Sequence, residues 1–342
     1  MIVRMVDLFE LISGIIIGII PIPLDFLKVA IFPGFAWAGI MVLFLTYYER
    51  KLLAKLQLRV GPYYAGRFEG IFQMIADTIK LLFKEIIIPR KADKLLFLAA
   101  PVCALIVAAS PLAVIPLSKT AVIANLDVGL LFFFAMIAFN PIVILLASWA
   151  SHNKFSFIGG LRSLHQLVSY EIPLFLSVIG IVILSGSFNL VSIVESQNPL
   201  WYGVLQPVGA LVFLIAAIAE LERVPMDIPE AEQEIATGWL AEYGGMSFGL
   251  FFFAVYIRLY VLAGLFTTVF LGGWLGPEIL PSEIWFLIKT VIVATVMILP
   301  RGFSPRLRID QMLRTGWTKL LLLAIINIFI ALVISQQNII PF

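Results

Sequence analysis

Acidic side chains are concentrated in one stretch of the sequence, residues 220–242. These 23 residues contain seven of the chain's 21 Asp and Glu residues, and Arg223 is the only base among them. Apolar sequence flanks the stretch, and apolar residues such as Ile228 and Trp239 alternate with the acids. Carboxyl groups crowded into a partly enclosed space cannot all ionise, because desolvation and like-charge repulsion raise some of their pKa values. The pattern predicts a proton path whose acids are Glu220, Glu222, Asp227, Glu230, Glu232, Glu234 and Glu242.

Two prolines predict how this acidic segment is folded. Pro225 and Pro229 interrupt the helix that leaves the membrane, and a new helix can begin after Pro229 with acids in its first turn. Residues four apart lie on one face of a helix, so Glu230 and Glu234 are expected to share a face. The simpler interpretation of the whole segment is a solvated acidic loop.

A second segment with chemical potential is 66–86, which has the pattern of a basic amphipathic helix. Its apolar residues recur at helical spacing, and Gln73, Asp77, Lys80 and Lys84 follow the opposite face. Such a helix lies along a membrane surface or docks on another subunit. Asp77 is expected to border an enclosed space, with Lys80 one turn away to hold it ionised. The alternative is an interfacial anchor with no further role.

Ionisable residues inside the apolar segments are few. Glu171 lies near the start of one of them, and an acid at membrane depth is a functional candidate because its insertion costs a few kcal/mol. A pairing of Glu171 with Arg162 that only helps packing is the alternative. Arg258 and Lys289 also lie within apolar segments, and no role is predicted for Arg258.

The composition identifies the environment in which these residues work. Of 342 residues, 61% are hydrophobic and only 13% are charged, with a mean hydropathy of +1.05. Soluble domains carry roughly twice that proportion of charge, so most of the chain is expected to contact lipid. The near balance of 23 basic and 21 acidic residues argues against a nucleic-acid partner. One cysteine and two histidines exclude an intrachain disulfide and provide no convincing iron–sulfur or zinc site.

The fold class predicted is an all-α polytopic membrane protein with about eight spans and one domain. Leu11–Ile20 is too short to span and is expected to be interfacial. Loop 49–94 holds ten bases, and the positive-inside rule therefore places it in the cytoplasm and both termini on the outer side. The predicted spans are 29–48, 95–118, 126–150, 167–188, 200–219, 246–271, 283–300 and 317–335.

Several strings, one or more in each cytoplasmic loop, together resemble one family. They are YYERKLLAKLQLRVGP (47–62), QMIADTIKLLFKE (73–85), SHNKFSFIGGLRSLHQLVSYEIP (151–173), AELERVPMDIPEAEQE (219–234), AEYGGMSFGLFFF (241–253) and PRGFSPRLRIDQML (300–313). The chain resembles the H subunit of bacterial respiratory complex I, which is equivalent to the mitochondrially encoded subunit one. The resemblance extends from about residue 29 to the end of the chain.

The resemblance implies an eight-helix subunit that binds no cofactor of its own and completes a quinone-reduction chamber. Flavin and iron–sulfur clusters would lie on partner subunits of a peripheral arm, and small and antiporter-like subunits would adjoin it in the membrane. By position in the matching strings, Arg50, Ala76 and Asp77 would line the chamber and its mouth, with Lys80 beside them. The acids of 220–242, with Arg223, Arg162 and Glu171, would begin the path that couples quinone reduction to proton pumping.

The sequence departs from the family pattern in two places. Many members have Ala-Glu-Tyr where this chain reads Ala254-Val255-Tyr256, and Glu222 occupies a place often held by a neutral residue. The strings RVGPYYAG, NPIVILLASW and AELERVP are more similar to cyanobacterial, chloroplast or archaeal relatives than to mitochondrial ones. In those branches the donor need not be NADH: ferredoxin or a reduced deazaflavin is the alternative donor, and plastoquinone or a phenazine the alternative acceptor. The membrane would be a prokaryotic cytoplasmic or thylakoid-type membrane.

Two other functions are compatible with buried carboxylates in a membrane protein. One is the membrane anchor of an energy-converting hydrogenase, in which no quinone binds. The other is a stand-alone cation/proton antiporter, although that class is expected to carry its acids and broken helices in paired internal repeats. The acids of this chain lie almost wholly in one loop, and no inverted repeat is seen.

Overall fold

The computed structural model describes residues 28–66, 69–277 and 279–336, without the side chain of Glu232. The predicted interfacial segment Leu11–Ile20 lies outside these ranges. Within them, seven helical spans are long and apolar enough to cross a membrane, and one apolar helix, Pro207–Glu220, is shorter. The seven spans are Lys28–Leu56, Lys94–Ala113, Gly129–Ala150, Lys154–Ser185, Gly245–Phe270, Ser282–Phe303 and Ile309–Gln336. The prediction of an all-α polytopic membrane protein is confirmed.

The individual helices are named here in chain order. They are α1 (Phe35–Leu56), α2 (Gln73–Phe83), α3 (Lys94–Ala109), α4 (Gly129–Ile137), α5 (Asn140–Ala150), α6 (Lys154–Ser185), α7 (Leu190–Glu195), α8 (Tyr202–Leu205), α9 (Pro207–Glu220), α10 (Glu232–Ile235), α11 (Gly245–Phe270), α12 (Ser282–Ile298), α13 (Pro300–Phe303), α14 (Ile309–Arg314) and α15 (Leu321–Gln336). Further helical turns are the 3₁₀ turns Ser110–Ala113 and Gly238–Leu240 and the π-helical turn Thr315–Leu320.

Two helices extend further into the predicted loops than their apolar residues indicated. Helix α1 continues to Leu56, so Arg50 lies on a helix and not in the predicted loop 49–94. Helix α6 begins at Lys154, where the side chain of Asn153 accepts a hydrogen bond from the Phe155 amide at 3.0 Å. Residues 154–166 are therefore helical and not a loop. Their buried serines and glutamine contact protein instead of lipid, so hydropathy alone did not reveal them.

The helix that precedes the acidic segment is short. The predicted span 200–219 is divided at Gln206 into α8 and α9, and α9 is about 21 Å long at 1.5 Å per residue. A hydrocarbon core of about 30 Å is longer than this helix. Likewise α2 covers only 73–83 of the predicted amphipathic segment 66–86.

Helices α6 and α11 form the centre of the bundle. Helix α6 packs against α5, α9 and α15, whereas α11 packs against α1, α2, α3 and α12. Both central helices are largely buried, and the acidic segment 220–245 packs against the N-terminal part of α6 and leads into the N-terminal end of α11. This arrangement brings residues from distant parts of the sequence to a single site.

A close backbone contact holds the acidic segment against α6, and it yields a first prediction. A Cβ added at Gly159 would lie 2.7 Å from Gly238 Cα and 2.7 Å from the Trp239 amide nitrogen. Gly159→Ala is therefore expected to destabilise the protein by about 1–3 kcal/mol, because backbone on both sides must shift. The measurement is the apparent melting temperature of the detergent-purified protein. Gly39→Ala is the control, since its Cβ would meet only Phe253 Cζ at 3.8 Å. Equal melting temperatures for the two variants would contradict the prediction.

Candidate functional site

The acidic segment surrounds a cavity of about 440 Å³ at the C-terminal end of α9 and the N-terminal end of α11. Three of the predicted acids line it: Glu222, Asp227 and Glu230. Asp227 is bound by Arg306 at 2.9 Å, and Glu222 accepts a short hydrogen bond from the Ser163 hydroxyl of α6. The acids therefore adjoin an enclosed space, unlike those of a solvated loop.

Two of these carboxyl groups titrate above the ordinary range. Burial, together with the nearby carboxylates of Glu222 and Asp227, raises the pKa of Glu230 to about 7. Burial also raises the pKa of Glu222, although Arg258 and the Ser163 hydrogen bond oppose that change. Glu230 is consequently able to bind and release a proton near neutral pH.

Among the acids whose side chains are described, Glu234 and Glu242 do not line this cavity. Glu234 is exposed and bound by Arg162 at 2.5 Å, and Glu242 accepts a hydrogen bond from Asn153 at 2.6 Å. The expectation that Glu230 and Glu234 share a helical face is wrong. Helix α10 is only four residues long and begins after Glu230, and left-handed backbone at Ala236 and Thr237 ends it.

Glu220 is the most deeply buried of the predicted acids, with 1% of its surface exposed. It adjoins a gap of about 10 Å³, enough for at most one water molecule, which Asn140 and Arg258 also line. Glu171 on α6 is close enough to Glu220 for the two carboxylates to interact electrostatically. Glu220 thus lies between the acidic cavity and Glu171.

The alternative pairing of Glu171 with Arg162 is wrong. The two residues are nine positions apart on one helix, or about 13.5 Å along its axis, so their side chains cannot meet. Arg162 instead reaches across to Glu234.

A buried carboxylate that the sequence analysis missed lies beside the cavity. Glu49 of α1 is 1% exposed, and it accepts short hydrogen bonds from both Arg223 and Arg301. The Arg223 guanidinium also lies over the Tyr256 ring, 4.8 Å from its centroid. Glu49 could have been noticed in the string YYERK, because it is an acid at the end of an apolar span, but its partners are 174 and 252 residues away.

The amphipathic helix borders a second cavity, of about 280 Å³, with α1 and α11. Most of its lining is apolar, and Arg50 and Asp77 are its charged members, joined by an ion pair at 2.6 Å. Asp77 therefore borders an enclosed space, but its cation is Arg50 and not Lys80. Ala76 and Lys80 are exposed and line neither this cavity nor the acidic one.

Phe252 of α11 connects the two cavities through a third. A space of about 500 Å³ is lined by Glu49, Arg50, Tyr256 and Arg301, among others. Phe252 lines all three spaces, Arg50 is shared by the apolar and middle ones, and Tyr256 is shared by the middle and acidic ones. The cavities thus adjoin one another from the apolar cavity to the acids.

A family model described as NADH dehydrogenase matches residues 29–332. The chain belongs to the NADH dehydrogenase family. It is similar to the H subunit of NADH-quinone oxidoreductase from Bacillus cytotoxicus, with 44% identity over 306 residues, which are 89% of this chain and 90% of the relative. It is also 44% identical over 296 residues to an H subunit of this oxidoreductase from Syntrophobacter fumaroxidans, covering 84% and 89% of the two chains. The H subunit from Brevibacillus brevis is 43% identical over 302 residues, with coverage of 87% and 90%.

Membership of the NADH dehydrogenase family bears out the resemblance found in the sequence. The matched residues include all three cavities, the acidic segment and the Glu49 ion-pair cluster. The chain is thus an integral membrane protein of a family whose similar members are subunits of an oxidoreductase.

Proposed function

We propose that this chain is the membrane subunit of a proton-translocating quinone oxidoreductase, in which it forms part of the quinone chamber and the first acids of the coupling path. The observation that carries the proposal is the row of three adjoining cavities that meet at Phe252. One end of the row is apolar and lies between α1, α2 and α11, and the other is acidic. A quinone is likewise apolar at one end, its tail, and polar at the other, its headgroup.

The apolar cavity is the proposed mouth for quinone from the membrane. Its walls suit an isoprenoid tail, because apolar surface is removed from water there. The Arg50–Asp77 ion pair beside it offers polar groups to a headgroup that moves inward. Further in, Arg223 and Arg301 supply positive charge that favours electron density on a quinone oxygen, and Glu49 holds both in place.

The acidic end of the row is the proposed start of the coupling path. Forming quinol consumes protons and changes the charge in the chamber. Glu230 and Glu222 line the acidic cavity, so their protonation responds to that change. Glu220 and then Glu171 lie further into the bundle and continue the path toward neighbouring membrane subunits. Asp227, Arg223, Glu232, Glu234, Glu242 and Arg162 shape the potential around it.

The proposed partners follow from the family resemblance of the sequence. A peripheral arm with the donor site, flavin and iron–sulfur clusters would dock on the basic cytoplasmic side, and small and antiporter-like subunits would adjoin the chain in the membrane. By the positive-inside rule both termini lie on the outer side. The name NADH-quinone oxidoreductase favours NADH over ferredoxin or deazaflavin as donor, and quinone chemistry over a hydrogenase anchor.

Phe252→Trp tests the proposed quinone path. The larger ring would fill part of the junction between the cavities, and overpacking costs about 1–3 kcal/mol. The KM for a short-tailed quinone is therefore expected to rise roughly tenfold or more in the purified complex, since 1.4 kcal/mol is a factor of ten. A photoreactive quinone should label α1, α2 or α11, and labelling should weaken in the variant.

Phe329→Trp is the matched control, because Phe329 is 63% exposed on α15 and lines none of the three cavities. Its KM for quinone should equal that of the wild type. An unchanged KM in Phe252→Trp, or labelling that never involves these helices, would exclude the proposed path.

A further inference from the structure

Arg258 is a buried cation whose surroundings the proposed path does not yet explain. It lies on α11 with 6% of its surface exposed, and it is 4.0 Å from Glu222, measured from Nη2 to Oε2. Arg258 also lines the small gap next to Glu220. Arg258 therefore lies between an acid of the large cavity and the more deeply buried acid behind it.

The guanidinium group of Arg258 is only partly engaged in polar contacts. Among the described residues, its Nε and Nη1 have no hydrogen-bond acceptor, and Glu222 Oε2 has no donor. The distance of 4.0 Å is that of an ion pair without a hydrogen bond. Arg223 and Glu49, by contrast, are hydrogen-bonded to each other. A guanidinium held this loosely can serve either of two carboxylates.

The charges at this place do not balance unless one acid is protonated. Arginine stays positively charged in proteins, so Arg258 compensates one carboxylate. Glu220 and Glu222 are both buried, and two carboxylates that share one cation in a desolvated site cannot both ionise. The other groups in electrostatic range are Glu171 on the Glu220 side and Glu230 on the Glu222 side, with the neutral Asn140 and Ser163.

We infer that Arg258 is a positioning residue for proton transfer, which keeps a single proton on the Glu220–Glu222 pair and allows it to move between them. When charge in the cavity favours ionised Glu222, the O–H bond on Glu222 breaks and one forms on Glu220. The negative charge moves the opposite way, and Arg258 compensates it in either position. The inference rests on the proposed function, because it names the first inward step of that coupling path.

The test is an infrared difference spectrum of the whole purified complex between its quinone-oxidised and quinone-reduced states. Protonated carboxyl groups are observed through their C=O stretching band. A proton that moves from Glu222 to Glu220 removes the band of one group and adds the band of the other, and this pair of bands is the expected signal. The spectrum of the single variant Glu230→Gln is recorded separately, so that the contribution of Glu230 to the wild-type spectrum is identified. This signal should disappear in Glu220→Gln, and also in Glu222→Gln, since Glu220 alone beside Arg258 would stay ionised.

Substitutions of Arg258 distinguish its charge from its packing. Arg258→Gln should keep both acids protonated, abolish the paired signal and lower proton translocation roughly tenfold. Arg258→Lys keeps the charge and should retain the signal. Lys289→Gln is the control for losing a buried cation. Lys289 donates hydrogen bonds to the backbone carbonyls of Leu271, Gly273 and Leu275 and lies over the Trp201 ring, and it forms no ion pair in the described part of the chain. The Lys289→Gln variant should change the stability of the complex and leave the paired infrared signal intact.

The outcomes separate this inference from the function on which it rests. A wild-type complex that reduces no quinone would overturn the proposed function. A wild-type complex that reduces quinone and translocates protons, with the paired signal retained in Glu222→Gln, would overturn the inference alone. If the Arg258→Gln complex does not assemble, Glu220→Gln and Glu222→Gln still test the inference, because both variants retain Arg258.

Discussion

Glu230→Gln is expected to lower coupled quinone reduction and proton translocation by about two orders of magnitude, the lower end of the range for losing a proton-transfer group. The pKa of Glu230 is raised to about 7, so the group is mostly protonated below that pH and mostly ionised above it. Proton uptake needs the ionised form. The wild-type rate of coupled quinone reduction should therefore fall as the pH decreases through about 7. This part of the pH profile should be absent from the variant.

The measurement is the pH dependence of quinone reduction and of proton translocation by the complex in vesicles. Electron transfer from the donor to the peripheral clusters should remain at the wild-type rate, since Glu230 is not part of that arm. Glu195→Gln is the matched control, because Glu195 is paired with Lys119 at 2.7 Å, away from the three cavities. Wild-type turnover with an unchanged pH profile in Glu230→Gln would defeat the proposed role.

Glu49→Gln is expected to produce the largest loss of stability. Its carboxylate compensates Arg223, which is 6% exposed, and also binds Arg301. Removing one partner of a buried ion pair leaves the other charge uncompensated, which costs about 3–5 kcal/mol. The variant should assemble poorly, and the complex that forms should have a lower melting temperature.

A surface acid on the same side of the membrane provides the comparison. Glu69 is paired with Lys51 at 3.3 Å, but its side chain is 74% exposed, so Glu69→Gln should cost less than about 1 kcal/mol. Both variants change Glu to Gln next to a cation, and they differ in burial. Equal melting temperatures for the two would show that the Glu49 cluster does not stabilise the fold.

The helical spans were predictable because lipid imposes a local requirement. A segment that crosses a bilayer must be apolar for about 20 residues, and this property is visible in the sequence alone. The limits of α6 were not visible in the same way. Its first turns are polar, and Ser156 and Gln166 donate hydrogen bonds to segment 219–240, so protein contact and not lipid stabilises them there.

The acids were predictable as a group, whereas their separate roles were not. Their crowding between apolar spans indicated an enclosed site. Glu230 precedes α10 and lines the cavity, whereas Glu234 lies on α10 and pairs with Arg162 at the surface, so which acid lines the cavity depended on where this short helix begins. Ala76 and Lys80 were named from a matching string, but the helix presents Asp77 inward and leaves both of them exposed.

The sequence by itself determined that this is a multi-span helical membrane protein of its family, with carboxyl groups gathered in one segment between apolar spans. These properties depend on composition and on short strings of neighbouring residues. Only the tertiary structure decided that Arg50 pairs with Asp77, that Glu49 binds Arg223 and Arg301, and that Arg258 lies between Glu220 and Glu222. The physical reason is that the Coulomb interaction between buried charges depends on their distance in space, and packing of distant helices sets that distance.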